Sequence, residues 1–400
     1  MGGELFDWLG LGARMLHVVA GIAWIGASFY FVWLDNNLQT PPPEKDEKGV
    51  AGDLWAIHGG GIYEVAKYRL APPRMPERLH WFKWEAYTTW LSGTLLLCLM
   101  YWLDAELYLL GGPWIESPSA AVIASAAFLA GVLASYELAL RSPLRASPRG
   151  FAFFVLALGI AATWLSTQLF AARAAWLHTG AALATIMAAN VFLGIIPAQK
   201  RFVAAVAEGR TPDAAGAALA KLRSTHNNYL TLPVVLCMIS NHYPMLYGHP
   251  HGWLLLVGLG IALAWLRHFF NLKHRGIVRP AIPLTSAASV AIIFAFAIAT
   301  TPASPAIIDE GARDGISDAD GLALVTTHCT VCHAARPTQP GFAAPPGGHR
   351  FETIDDVRAR AQLARTSVST HYMPLGNITG MSEGERAQLV AWLGRLEAEL

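Results

Sequence analysis

Two cysteines and a histidine form the motif with the most specific chemistry in this chain of 400 residues. Cys329, Cys332 and His333 follow the spacing C-x-x-C-H, which is the signature for covalent attachment of a c-type haem. On a helix the two thiols lie one turn apart, so both can bond to one porphyrin while the adjacent imidazole binds the iron. A zinc site would need two more ligands, and no other cysteine follows. A redox-active cysteine pair would need a βαβ setting, which the flanking helical patterns do not offer. We therefore predict one covalent haem c.

The second axial ligand of this iron is predicted to be Met373. Methionine is the usual partner of histidine in high-potential cytochromes c, and Met373 lies in a loop with proline and glycine that follows a helical stretch over 353–368. Met381 is the rival, but it directly precedes the sequence from Ser382 to Glu385, a capping box that opens the last helix. His371 is an alternative ligand.

The elements that must position this motif are mostly long apolar helices. Hydrophobic residues make up 54% of the chain and charged residues only 14%, against roughly a quarter charged in soluble proteins. A helical span needs about 20 mainly apolar residues. Eight segments meet that requirement, approximately over 11–34, 85–103, 119–140, 150–171, 174–197, 226–247, 252–272 and 281–300.

The distribution of Lys and Arg orients these spans. The connections over 35–84, 141–149, 198–224 and 267–280 hold seven, three, five and four basic residues, whereas those over 104–118 and 248–252 hold none and the short link at 172–173 holds only Arg173. By the positive-inside rule the basic connections are cytoplasmic. We therefore predict a multi-pass membrane protein with both termini and the haem motif on the outer side. In a Gram-negative cell this is the bacterial inner membrane, with the termini on the periplasmic side.

Two cytoplasmic connections are too long for plain turns. In the loop over 35–84, alternating apolar residues around the glycine run Gly59-Gly60-Gly61 predict a β-hairpin. The segment over 198–224 alternates Ala-rich and charged positions, with Thr211-Pro212-Asp213 as a helix start, and we interpret it as an amphipathic pair lying against the membrane.

The predicted fold class is all-α, with a polytopic helical membrane bundle of about eight transmembrane helices and a C-terminal domain like a class I cytochrome c. The membrane domain covers 1–300, a Pro/Ala linker covers 301–316, and the cytochrome domain covers 317–400. The net charge of +1 gives no general electrostatic reason to expect nucleic-acid binding.

Several motifs along the whole chain resemble those of the bacterial membrane-bound, cytochrome c-linked urate oxidases (urate hydroxylases). They are Leu16-His17-Val-Val-Ala-Gly-Ile-Ala-Trp24-Ile-Gly26, Leu34-Asp35-Asn36-Asn37, His58-Gly-Gly-Gly61, Leu79-His80-Trp81-Phe-Lys83-Trp84-Glu85 and Met373-Pro-Leu-Gly-Asn377-Ile-Thr-Gly380-Met381. The resemblance implies oxidation of urate to 5-hydroxyisourate, with electrons passed through the haem c to the respiratory chain and not directly to oxygen. The implied partners are urate, the lipid bilayer and a respiratory electron acceptor, either a soluble cytochrome c or a terminal oxidase.

Urate is a planar anion, so its site should offer cationic or amide donors and aromatic faces. Such residues collect at the cytoplasmic ends of the predicted spans, and polar residues at membrane depth usually face a bundle interior or a cavity. Anchoring at the membrane interface is the alternative role for each of them. The candidates are Asp35, Lys83, Glu85, His226, Asn227 and His268, with Asn36, Asn37, Asn228, Tyr229, Arg267 and Asn271 beside them.

A cytoplasmic substrate site would lie most of a bilayer, on the order of 30 Å, from a haem on the outer face. One tunnelling step over that distance is slow, so a relay is implied. His17 and His178, near the outer ends of spans 1 and 5, could hold a b-type haem. A hydrogen-bonded packing role is the alternative for both, and a substrate site near the outer face would remove the need for a relay.

Two other functions remain open at this stage. One is a non-catalytic membrane subunit that relays electrons from a separate dehydrogenase or from quinol. The other is a membrane porphyrinogen or quinol oxidase. The sequence has no P-loop and no dinucleotide fingerprint, which argues against ATP or nicotinamide as a cofactor.

Overall fold

The computed structural model describes residues 2–273, 276–300, 316–339, 342 and 344–399. Residues 2–300, which we call the bundle, hold twelve helices in the described part. They are α1 (Gly2–Asn37), α2 (Pro43–Asp46), α3 (Trp84–Leu97), α4 (Ala105–Tyr108), α5 (Pro118–Arg141), α6 (Pro148–Leu169), α7 (Ala172–Ala189), α8 (Ile196–Ala207), α9 (Ala214–Ile239), α10 (Pro244–Tyr247), α11 (Gly252–Lys273) and α12 (Ala281–Thr300).

Six helical segments in the described residues are long and apolar enough to cross a membrane. They are Trp8–Asn37, Pro118–Arg141, Pro148–Leu169, Ala172–Ala207, Gly252–Lys273 and Ala281–Thr300. The predicted spans over 85–103 and 226–247 are helical too, in α3 with the π-helical segment Cys98–Trp102 and in α9, but they are not among the six. All eight predicted helices therefore exist, and six have the length and apolarity of a span.

Apolar surface is exposed on the outer helices of the bundle. Only 6% of the most apolar stretch of α1 and 11% of that of α12 is buried inside the protein, and Ile22 and Ile298 are largely exposed. Soluble monomers rarely expose contiguous apolar faces of this extent, so these helices are suited to contact lipid.

The core of the bundle is built on α5, α6 and α7. Tyr136, Phe151 and Phe170 are fully buried there. Local capping fixes the helix starts, because Ser117 and Ser147 accept hydrogen bonds from the backbone N–H groups of Ala120 and Gly150, and a proline follows each serine at the first helical position.

The predicted amphipathic pair over 198–224 is helical but does not form a separate surface element. The first arm, α8, continues from α7 through the π-helical segment Asn190–Ile195, and the second arm is the first half of α9. Asp213 caps α9 as predicted, since its side chain accepts a hydrogen bond from Ala215 N. Both arms extend helices of the bundle, and Pro197 at the start of α8 does not end the helix, since the π-helical segment before it connects α8 to α7.

The predicted hairpin is confirmed. Strands β1 (Val50–His58) and β2 (Gly61–Tyr68) pair antiparallel, with His58 opposite Gly61. The turn between them is Gly59-Gly60, and both residues have positive φ, at 57° and 79°. A two-residue hairpin turn of this kind requires positive φ at both positions, which glycine adopts without strain.

Residues 316–399, which we call the C-terminal domain, are also helical where described. The helices are α13 (Asp318–His328), α14 (Thr330–His333), α15 (Ile354–Arg358), α16 (Ala361–Ser369) and α17 (Glu383–Ala398). Ser382 and Glu385 form the predicted capping box at the start of α17. Trp392 on α17 packs so closely on Gly321 of α13 that a Cβ there would lie 2.3 Å from its ring. Most of the predicted linker, 301–315, lies outside the described residues.

Candidate functional site

The C-x-x-C-H motif forms one helical turn. Cys329 follows the last residue of α13, and its carbonyl accepts hydrogen bonds from Cys332 N at 3.1 Å and His333 N at 2.8 Å. All three side chains line one cavity of about 330 Å³, which we call the C-x-x-C-H cavity. The two thiols are therefore placed on the same cavity, as attachment to one porphyrin requires.

The imidazole of His333 is oriented by the backbone. His333 Nδ1 donates a hydrogen bond to the carbonyl of His349 at 2.8 Å, which leaves Nε2 as the nitrogen that could bind a metal. Burial lowers the pKa of His333, and the hydrogen bond to His349 only partly offsets this. The neutral imidazole, which is the form that ligates metals, is favoured.

The two thiols do not resemble a redox-active pair. Burial raises the pKa of Cys329 to about 12 and also raises the pKa of Cys332. Catalytic cysteine pairs need a lowered thiol pKa, because the thiolate is the nucleophile. The electrostatics of this site therefore argue against thiol–disulfide exchange.

Met373 lies on the wall of the same cavity, in the loop between α16 and α17. Met373 N donates to Ser367 O at 2.9 Å, and the buried Arg386 donates from Nη1 to the carbonyls of Met373 and Val368. These bonds fix the loop. Arg386 was not predicted as a site residue. In the sequence, its place in the last helix is the only indication that it could hold the loop of Met373.

The rivals of Met373 lie elsewhere. Met381 is buried in the core of the C-terminal domain. His371 points to Glu383, with Nε2 3.2 Å from both carboxylate oxygens, and neither Met381 nor His371 lines the cavity. Of the three candidates, only Met373 shares a cavity with His333.

The bundle closes the remaining side of the C-x-x-C-H cavity. Tyr108, Arg173 and Pro244 line it together with Tyr372. Arg173 Nε donates to Asn241 Oδ1 at 3.1 Å. The sequence offers one indication for Arg173. It is the only basic residue in the short connection at 172–173, which alternates with the connections rich in Lys and Arg.

The predicted substrate residues separate into different places. His226 Nδ1 lies 2.7 Å from Tyr136 OH, and its ring stacks on Phe151 with the centroids 5.1 Å apart. Asn227 bonds to Asn190 at 2.8 Å and to the carbonyl of Met187 at 2.9 Å. These side chains belong to a packed interior network and do not line the C-x-x-C-H cavity.

That network ends in a buried ion pair. Arg223 donates to both carboxylate oxygens of Glu137, at 2.5 Å and 2.8 Å, and also to Asn190 Oδ1 at 2.8 Å. A charge at this depth is retained only when it is paired and hydrogen-bonded. The network therefore has a structural explanation that needs no ligand.

Asp35 and His268 do meet, at a second cavity of about 520 Å³ between α1, α9 and α11, which we call the polar cavity. Tyr229 OH lies 2.6 Å from His268 Nδ1. The lining residues are Val32, Asp35, Lys221, Ser224, Thr225, Asn228, Tyr229, His268, Asn271 and Leu272. Lys83 and Glu85 lie outside it, with Lys83 over the ring of Trp84 and Glu85 near His80.

The polar cavity contains donors suited to an anion. Asn271 Nδ2 and Arg267 Nη2 are buried and have no hydrogen-bond partner among the described residues. Arg267 lies directly behind the wall, since its Nε donates to Asn228 Oδ1, and its guanidinium is 4.2 Å from the ring centroid of Phe29. Asp35 is paired with Lys67 at 2.7 Å.

The polar cavity lies beside the first half of α9, and the C-x-x-C-H cavity lies beyond its C-terminal end. The polar cavity is lined by Lys221 to Tyr229, whereas Arg173 of the other cavity bonds to Asn241 beyond the helix end. At about 1.5 Å per residue the separation along the axis is roughly 20–30 Å. One electron-transfer step over this distance would be slow.

The histidines predicted for a second haem do not share a site in the structure. His178 is fully buried, with Nδ1 2.8 Å from Ala174 O and Nε2 2.7 Å from Ser125 Oγ, so neither ring nitrogen is open to a metal. His17 instead contacts the α3 backbone through Nδ1, 2.9 Å from Thr89 O. His178 does not fit as an axial ligand, because packing and hydrogen bonding already satisfy it.

The chain combines apolar helices long enough to span a membrane with a small helical domain. It is therefore an almost all-helical protein with a membrane-capable bundle. The chain belongs to the urate oxidase N-terminal family, which matches residues 3–299. This membership indicates an oxidoreductase acting on urate. No curated protein and no solved structure matches the chain.

Proposed function

We propose that this protein is a membrane urate oxidase that converts urate to 5-hydroxyisourate and passes the electrons through its own haem c to the respiratory chain. The observation that carries the proposal is the C-x-x-C-H cavity, where both thiols, His333 and Met373 converge. This cavity is joined to a bundle that belongs to a urate oxidase family.

The residues present fit a c-type haem. Cys329 and Cys332 would hold it covalently, and His333 and Met373 would bind its iron. The cavity is lined mainly by apolar side chains and lies within the usual range for cofactor sites, roughly 300–1,000 Å³. When bound, the haem would accept and release one electron at a time.

The reaction balances without oxygen as the direct oxidant. Urate and water give 5-hydroxyisourate, two protons and two electrons, and the electrons leave singly to the respiratory acceptor, a soluble cytochrome c or a terminal oxidase. No hydrogen peroxide is formed on this route. The polar cavity is the described site best suited to a planar anion, because it combines Lys221, amide donors and the aromatic faces of Tyr229 and His268.

Electrons from the polar cavity would need an intermediate carrier, because the separation along α9 is roughly 20–30 Å. A b-type haem is the carrier that the sequence suggests. Both ring nitrogens of His178 are occupied by hydrogen bonds, so this histidine does not supply a ligand for it.

The proposed location is the bacterial inner membrane, with the C-terminal domain on the periplasmic side. The C-terminal domain packs against the base-poor connections of the bundle, at Tyr108 and Arg173. The positive-inside rule assigns such connections to the outer face, which is also where haem c is attached.

The experiment uses bacterial membranes that contain the full-length protein. Urate should disappear with concurrent reduction of the haem c and without peroxide. Cys329→Ala should abolish the covalent haem and urate turnover, while Cys98→Ala, a cysteine outside the motif, should keep both. Reduction of the haem by quinol but not by urate would instead favour a relay subunit that serves a separate dehydrogenase.

A further inference from the structure

The bundle wall of the C-x-x-C-H cavity carries a positive charge that the C-terminal domain does not supply. Arg173 is the only arginine or lysine among the described residues that line this cavity. Its described hydrogen-bond partner is the neutral Asn241, and its guanidinium lies 5.9 Å from the ring centroid of Tyr108. No carboxylate of the described residues pairs with it.

Buried polar groups surround this arginine. The indole Nε1 of Trp176 has no hydrogen-bond partner in the described part of the chain, while the hydroxyl of Tyr101 is within hydrogen-bond reach of Arg173 and that of Tyr247 is within reach of Tyr372. The charge of Arg173 is within electrostatic reach of Tyr101 and Tyr247. Because a buried donor is costly to leave unpaired, the free indole N–H of Trp176 and the two hydroxyls beside a cation without a carboxylate partner fit an acceptor-rich anion at this place.

These donors are continuous with the cavity wall. Tyr247 packs against Tyr372, which lines the cavity, with the ring centroids 5.6 Å apart. Trp176 belongs to the same cluster as Tyr247. The ring of Tyr101 lies 6.2 Å from that of Tyr108, which lines the cavity beside Arg173.

We propose that Arg173, with the hydroxyl of Tyr247 and its neighbouring donors, binds the propionate carboxylates of the haem held by the C-terminal domain. The inference rests on the proposed haem c. A haem is apolar apart from its two carboxylates, and Arg173 is the cation available to them on the wall of this cavity. The redox centre is then shared between the two parts of the chain, and Arg173 is a positioning residue that also favours the reduced iron.

The test is a redox titration of the haem in full-length protein in lipid nanodiscs, without urate. At the midpoint potential of the wild type, Arg173→Gln should lower the ratio of ferrous to ferric haem about tenfold, because a nearby positive charge in a poorly solvated site is lost. Arg173→Lys should give a smaller decrease, since lysine keeps the charge but not the bidentate geometry.

Substitution of a neutral hydrogen-bond donor distinguishes direct pairing with the propionates from an effect of the Arg173 charge at a distance. Tyr247→Phe should lower the same ratio roughly threefold, the loss expected for one hydrogen bond. The matched controls are Tyr243→Phe and Arg145→Gln, because both side chains are exposed, unlike the buried Tyr247, and they should leave the ratio unchanged. Haem staining after denaturing electrophoresis verifies that each variant has assembled.

The inference is overturned if Arg173→Gln and Tyr247→Phe both leave the ratio within about twofold of the wild type, whatever the urate activity. It is also overturned if they raise the KM for urate while the ratio stays unchanged, because the donors would then bind the substrate. If Arg173→Gln fails to assemble, Tyr247→Phe decides. Absence of covalent haem from the wild type would contradict the proposed function itself.

Discussion

The ring of Tyr372, the residue directly before Met373, lies 5.6 Å from the ring of Tyr247 in the bundle, centroid to centroid. The loop that carries the proposed methionine ligand is therefore packed against the bundle. Nearby, Gly376 has φ 60°, and a Cβ at this position would lie 2.9 Å from the backbone oxygen of Glu106. The two parts of the chain are therefore in close contact at the loop that lines the C-x-x-C-H cavity.

Substitution of Gly376 by alanine should loosen this contact. The new methyl group would collide with a backbone atom, which cannot rotate away as a side chain can. We expect Gly376→Ala to slow reduction of the haem by urate about tenfold or more, since tunnelling falls steeply when the donor and acceptor separate, whereas reduction by ascorbate from solution should be unaffected. Stopped-flow spectroscopy of the haem measures both rates.

Gly380 provides the matched control. Its φ is also positive, at 65°, but a Cβ there would meet nothing within 4 Å. Gly380→Ala therefore introduces the same kind of backbone strain without the collision. Equal effects of the two substitutions on the urate-driven rate would contradict a role for the contact at Glu106.

The distal ligand can be tested by comparing two methionines. Met373→Ala should keep the covalent haem but lose the sulfur ligand, which lowers the midpoint potential. Met381→Ala should leave the potential unchanged and destabilise the C-terminal domain by about 2–5 kcal/mol, because Met381 is buried in the core. Redox titration and thermal unfolding measure the two effects. A lowered potential in Met381→Ala alone would reverse the assignment.

The polar cavity predicts which side chains control the affinity for urate. Asn271 carries a buried donor without a partner among the described residues, and Lys221 lines the same cavity. Asn271→Ala and Lys221→Ala should each raise the KM for urate about tenfold, the loss of one hydrogen bond to an anion. Lys200, which is exposed and outside the cavity, serves as the control. An unchanged KM in both variants would move the substrate site elsewhere.

Acid should destabilise the C-terminal domain through Asp318. Hydrogen bonds from Trp392 Nε1 at 2.9 Å and Arg395 Nη2 at 2.7 Å lower the pKa of this carboxyl below its usual 3.8. A lowered folded-state pKa contributes stability that is present above the unfolded value and lost as the pH falls through the folded one.

Replacement by asparagine isolates this contribution. Asp318→Asn should be less stable than the wild type near neutral pH, and the difference should vanish below the lowered pKa of Asp318. Unfolding followed by circular dichroism between neutral pH and strong acid measures it. A stability difference that is constant over this range would show that the charge of Asp318 contributes nothing.

The local elements of the fold could be predicted from the sequence because short-range chemistry specifies them. Gly59-Gly60 specifies the hairpin turn, Asp213 the start of α9, and Ser382 with Glu385 the start of α17. The length and apolarity of a span were readable for six of the eight predicted segments. The segment over 198–224 was predicted as an amphipathic pair and is helical in both arms, but periodicity does not show that each arm continues into a neighbouring span.

The candidate site was only partly predictable, since its other half comes from distant parts of the chain. Cys329, Cys332 and His333 are adjacent in sequence, but Arg173 and Tyr108 reach the same cavity only through the packing of the bundle. Likewise, His226 and His268 look equivalent at helix ends, yet one joins an interior network and the other a cavity. The difference depends on which face of each helix is turned toward the interior. The sequence of this chain alone does not specify that face.

The most direct measurement mixes urate anaerobically with the oxidised, purified protein in nanodiscs and follows the absorption of the haem c. The account predicts that the haem becomes reduced with two haem equivalents per urate consumed, and that 5-hydroxyisourate accumulates without peroxide. A haem that stays oxidised in the presence of urate, or a purified chain without covalent haem, would contradict it.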